Sequence, residues 1–151
     1  MSFLLPAAYS VQAALSAYGL YFSFIAITNV RQYEEQTERA ARYSGTAAHQ
    51  LRKTRTTQAS GVFAFLLSIG CTYFLLYPMR PIFGAGICAS NVLHLLATKR
   101  FIANFWRPKG KVPFVEGYNN AITATDVVRT VMGWLAVNWA VIGFVKWFGF
   151  A

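Results

Sequence analysis

His94 lies in "CASNVLHLLATKR", residues 88–100, among leucines and just ahead of Lys99 and Arg100. Asn91, His94 and Thr98 follow one another at helical steps of three and four residues, so they form one polar stripe. An imidazole in such a stripe could ligate haem, contact a quinone or a lipid headgroup, or act as a general acid–base. It could equally hydrogen-bond a neighbouring helix. Ligation of haem by two histidines would need His49, which falls about two turns outside the apolar run that follows it. No His, Cys and carboxylate cluster has metal-ligand spacing, and the carboxylates nearest in sequence, Glu116 and Asp126, lie well beyond the histidine. Cys71 and Cys88 are not in a CxxC pair, and lone thiols in apolar helices are buried and inert as a rule. No catalytic residue, metal site or cofactor is implied by these patterns.

The elements that must position this stripe follow from the distribution of charge. Only 13% of the 151 residues are charged and 56% are hydrophobic, against about 25% charged in an ordinary soluble domain. Charge-free runs cover 7–30, 56–79, 81–98 and 130–145. The first two, 24 residues each, exceed the ~20 residues that cross a hydrocarbon core. The fourth is extended by Val127, Val128, Trp147 and Phe148 if Arg129 and Lys146 snorkel to the interfaces. The expected fold is all-α: a single domain, 1–151, that is an integral membrane protein with four transmembrane helices in an antiparallel bundle. The spans are expected near 8–30, 56–78, 82–99 and 126–148. A soluble bundle with greasy helices is disfavoured by run length alone. "MSFLLPAAYS" lacks the basic start of a secretory signal, and no Arg- and Ser-rich transit sequence is visible.

The net charge of +9 is explained by topology. Basic residues concentrate in two stretches, 31–55 and 99–129, with Arg80 and Lys146 alone elsewhere. Four crossings put both stretches on one side of the membrane, which is the positive-inside pattern. Arg52, Lys53, Arg55, Lys99, Arg100 and Arg107 are the expected contacts with anionic lipid headgroups. No nucleic-acid motif competes with that assignment. The loops are expected in the mitochondrial matrix and the termini in the intermembrane space, with the endoplasmic reticulum as the other compartment considered.

Beyond Asn29, "VRQYEEQTERAARYSG" favours continued helix with Glu35–Arg39 and Glu38–Arg42 pairs, and Gly45 is a natural stop. Thr46 is a candidate cap for helix 2. "YPMRP" is a tight break. Helix 3 runs from Ile82 to about Phe105, and helix 4 opens around Asn120. Helices 1, 2 and 4 therefore extend past the bilayer on the positive side. The segment "RPKGKVPFVEGYNN" is the one long irregular stretch, of the kind often functional or held by a partner. In helix 3, Gly84–Cys88, Ala85–Ala89 and Gly86–Ser90 are small pairs four apart that permit close helix approach. His94, Asn91, Gly84, Gly86, Ser90 and Asn138 are the expected helix–helix or partner contacts. Gln12, Asn29, Gln58 and Asn138 are candidate hydrogen-bond partners for the His94 stripe.

In length and helix number the chain is similar to membrane-associated eicosanoid and glutathione-metabolism enzymes. In layout it resembles the sterol-biosynthesis scaffold family, through Arg-Thr in "RTTQASG" and the histidine in "NVLHLL". The Arg- and Asn-rich second-helix signature of the first group is not matched by "HQLRKTRTTQASG". The acidic residue that follows the histidine in the second group is missing. Thiol-oxidising four-helix proteins need paired cysteines that this chain lacks. No residue role or activity is carried over from any of them.

The expected function is that of a non-catalytic accessory subunit of a membrane complex, a mitochondrial respiratory or ATP-synthase assembly being favoured. Its partners would be membrane lipids and other membrane subunits. The alternative is a small membrane enzyme acting on a lipid, isoprenoid or quinone near the positive face, using His94, Asn91 and Tyr118 or Asp126.

Overall fold

The computed structural model describes residues 3–148. Its elements are four α-helices: α1 (Leu4–Ala41), α2 (Gly45–Phe74), α3 (Pro81–Trp106) and α4 (Glu116–Phe148). All four are long and apolar enough to cross a membrane. At 1.5 Å per residue, α1 is ~57 Å long and α3, the shortest, ~39 Å.

Helix ends follow from local chemistry, and two differ from expectation. Ser44, not Thr46, caps α2: its backbone is extended and its side chain accepts the Ala47 N–H at 3.4 Å, the usual N-cap arrangement. Gly45 is consequently the first residue of α2 and not a stop for α1, which ends at Ala41. At the other loop, α4 begins at Glu116, four residues ahead of Asn120. The Glu116 carboxylate sits in the first turn, where the helix dipole favours negative charge. Pro81 opens α3, a position where its missing N–H costs nothing.

α1 packs on both α2 and α4, and α3 packs on α4; the α2–α3 contact is the sparsest of the four. The buried stripes of α1 (Ala8, Gln12, Ser16, Gly19, Ser23, Ala26, Val30) and α3 (Gly84, Cys88, Asn91, Leu95, Thr98, Ile102, Trp106) advance by three and four residues. That spacing gives a seam close to the 3.5-residue period of helices packed at shallow angles. On α1 the buried stripe is small and polar, while Tyr18, Tyr21 and Phe24 face outward. The outer edge of the Phe65 ring of α2 abuts Gly19: a Cβ there would stand 2.3 Å from it. α4 supplies the largest share of the core, with Val128, Met132, Leu135, Trp139 and Ile142 buried.

Outward faces carry the bulky apolar side chains, among them Phe24 at 67%, Leu93 at 70% and Trp134 at 62% exposure. An apolar coat on all sides is too large for a monomer in water. In a bilayer it faces the acyl chains, and a polar interior is then no anomaly. The chain is thus built as a membrane protein.

Candidate functional site

Three polar clusters bind or flank the helices. The first centres on Ser68 of α2. Gln12 Nε2 of α1 donates to its hydroxyl at 3.0 Å and Trp139 Nε1 of α4 at 3.1 Å, while the Ser16 hydroxyl lies 3.2 Å away. All three are donors, so they converge on the one Ser68 oxygen. Asn138 Nδ2 donates to Gln12 Oε1 and to the Ala8 carbonyl at 2.9 Å. Asn138 and Gln12, both candidate partners for the His94 stripe, thus pair with each other and join α1 to α4. Ser68 and Trp139 were not singled out in the sequence.

The second cluster joins α2 to α3 and α4. Trp106 Nε1 donates to Thr57 Oγ1 at 3.0 Å, and Gln58 Nε2 to Thr125 Oγ1 at 3.3 Å. These bonds satisfy polar atoms that lipid would leave unpaired.

The sequence-predicted residues of α3 divide among its faces. Gly84 faces α4 and accommodates the Lys146 side chain, 3.0 Å from where a Cβ would stand; Cys88 packs equally closely on Gly143. Cys71 lines a different groove, so the two free thiols do not share a site. Gly86, Ser90 and Asn91 line an open groove of about 390 Å³ between α2 and α3, with Leu67, Cys71 and Ile82. Gly86 has open space around it, and so does Gly70 of α2.

His94 sits beside Phe63, ring edge to ring face at 5.9 Å. Its Nε2 is buried and has no hydrogen-bond partner; among the described residues, Arg129 Nε is the other such side-chain atom. Asn91 donates to the Ile87 carbonyl of its own helix at 2.9 Å. The expected bonds from His94 and Asn91 to another helix of this chain are therefore not formed: α2, the neighbour on that side, packs too loosely to bring an acceptor within reach.

The third cluster lies where α3 stops and α1, α2 and α4 continue. A cavity of about 180 Å³ opens there, lined by Val30, Tyr33, Glu34 and Thr37 of α1, Gln50, Leu51 and Thr54 of α2, Trp106, Lys109 and Tyr118. Asn119 fixes the α3–α4 loop, accepting the Val112 N–H and donating to the Val112 carbonyl, both at 2.8 Å. Lys109 Nζ donates to Gln50 Oε1 at 3.2 Å and lies 4.4 Å above the Phe105 ring. Burial holds the Lys109 pKa below, and the Tyr118 pKa above, their ordinary values. Tyr33 and Tyr118 meet edge to face at 5.9 Å.

The basic residues are spread around this end. Arg55 bridges to Glu34 and Glu38, each at 3.4 Å. Glu38 therefore reaches across to α2 in place of the expected Arg42, because the α1–α2 hairpin brings Arg55 alongside. No Glu35–Arg39 pair forms among the described residues; Arg129 pairs with Asp126 at 2.7 Å, as the spacing suggests. Lys53 lies 5.3 Å from the Phe101 ring centre, and Lys99 Nζ packs against Gly133. Arg52, Arg100 and Arg107 are exposed. No group of three or more His, Cys, Asp or Glu side chains comes together among the described residues. No protein-family model, curated protein or solved structure matches the chain.

Proposed function

We propose that this protein is a non-catalytic subunit of a multi-subunit membrane complex, and that a transmembrane helix of a partner seats in the α2–α3 groove. The observation that carries this reading is the placement of Gly70, Gly86 and Ser90. Gly86 and Ser90 line that groove and are exposed, and Gly70 of α2 is open, where other outward positions hold large side chains such as Leu66 and Leu93. Small residues permit close backbone approach of another helix, and acyl chains have no use for them. His94 Nε2 adds a polar atom without a partner beside the groove.

The membrane topology belongs to the same proposal: an antiparallel bundle with the 31–55 and 99–125 stretches on the positive side. The Tyr33–Tyr118 ring contact supports it, since it joins a residue of the first stretch to one of the second. The mitochondrial inner membrane, with basic loops in the matrix, is our assignment in preference to the endoplasmic reticulum.

The test is blue-native separation of a mild-detergent extract, followed by protein identification. Wild-type chain should migrate with a fixed set of other subunits. Gly86→Leu with Ser90→Leu should release it, while its own unfolding midpoint stays unchanged because both positions are open. Wild-type chain running alone would end the subunit reading. The groove volume, with Asn91 lining it and His94 beside it, favours one further reading: an enzyme acting on a lipid, isoprenoid or quinone. His94→Ala separates the two, since an enzyme loses turnover with its assembly intact and a subunit loses association.

A further inference from the structure

The cavity beyond the end of α3 is unlike the lateral grooves. It is walled by all four helices and by Lys109 of the α3–α4 loop, and lined by charge as well as apolar surface. Its floor, Val30, is the last residue of the first charge-free run. Thr37 lies seven residues on, about 10 Å further along α1. The headgroup layer adds roughly 5–8 Å to each side of the hydrocarbon, so the cavity begins at the level of that layer and reaches a little past it.

One carboxylate and one ammonium share the lining, Glu34 and Lys109, and no ion pair joins them. Glu34 repels a purely anionic ligand, and Lys109 repels a purely cationic one. Lys109 has three N–H donors and gives one to Gln50, so others remain for phosphate oxygens. On the cationic side, the Glu34 carboxylate already receives Arg55 at 3.4 Å, so its negative charge is shared. A quaternary ammonium needs no hydrogen-bond acceptor. It needs aromatic surface with negative charge nearby, which Tyr33, Trp106, Tyr118 and Glu34 supply.

We infer that this cavity takes a phosphocholine group, the trimethylammonium among Tyr33, Trp106, Tyr118 and Glu34 and the phosphate on Lys109. The volume suits a headgroup and not a whole lipid, because pockets for complete drug-sized ligands start near 300 Å³. The group could belong to a bilayer phospholipid or to a soluble glycerophosphocholine. The inference is independent of the α2–α3 groove and stands if the subunit reading falls.

The experiment uses full-length protein in mild detergent, mixed with equal amounts of phosphatidylcholine, phosphatidylethanolamine and phosphatidylglycerol, with bound lipid read by native mass spectrometry. A second arm offers glycerophosphocholine alone. Phosphatidylcholine should be retained about tenfold over the other two, the scale of a desolvated cation–π contact. Glu34→Gln and Tyr118→Leu should each remove most of that preference. Arg55→Gln breaks the same ion pair but leaves the Glu34 carboxylate, so it should keep or raise retention. Retention in the first arm alone assigns a lipid occupant, and retention in the second arm as well assigns the headgroup by itself. Equal retention of all three lipids overturns the inference, as does an Arg55→Gln loss equal to that of Glu34→Gln.

Discussion

As the acceptor for three donors, Ser68 ties α1, α2 and α4 together through one oxygen. Ser68→Ala leaves Gln12 Nε2 and Trp139 Nε1 buried without that acceptor, a loss of about 1–3 kcal/mol. Ser16→Ala removes one contact and should cost about 0.6 kcal/mol, the average for an interhelical bond in lipid. Unfolding by SDS titration in mixed micelles compares the two, and equal effects would refute a central role for Ser68. Close approach gives a second test. Gly19→Ala drives a methyl into the Phe65 ring, and overpacking of this kind costs about 1–3 kcal/mol. In a Phe65→Leu background the penalty should shrink, since the obstructing ring is gone.

At the scale of elements, the four helices were legible because length and charge-free runs alone identify a span. The continuation of α1 as helix past Asn29, the break at 78–81 and the irregular 107–115 loop were also legible. Which face of each helix turns inward was not. In water an apolar face marks the core, but in lipid both faces are apolar and polarity marks nothing reliably. Asn91 and His94 share a stripe by spacing, yet the rotation of α3 aims the Asn91 amide at its own backbone and leaves His94 on the α2 side. The three small pairs of α3 looked alike in sequence, and only the order of neighbours separates Gly84, facing α4, from Gly86, facing outward. The cavity beyond α3 draws on residues from 30 to 118, a separation no local pattern spans. Asn119 gives this scale its prediction. Asn119→Ala removes two bonds that fix the loop, about 2 kcal/mol at about 1 kcal/mol each. Tryptic cleavage after Lys109 and Lys111 should rise about tenfold or more if it tracks the open population. An unchanged rate would mean that other contacts hold the loop.

For the whole molecule, the proposed topology makes the two basic stretches accessible from one side only. In sealed vesicles, trypsin applied to that side should cut at both, and a tag on the C-terminus should be lost only from the other side. Cleavage of the two stretches from opposite sides would exclude four crossings. The distribution of polarity has a further consequence for how such a chain is made. Gln12 lies in α1, and its amide is completed by Ser68 of α2 and Asn138 of α4, both of which leave the ribosome after it. During synthesis, therefore, the nascent α1 enters lipid with unmet polar groups and waits for the rest of the chain. A polypeptide halted before α4 would keep that defect, and it is the kind of orphaned surface by which a membrane quality-control protease tells an unfinished protein from a finished one.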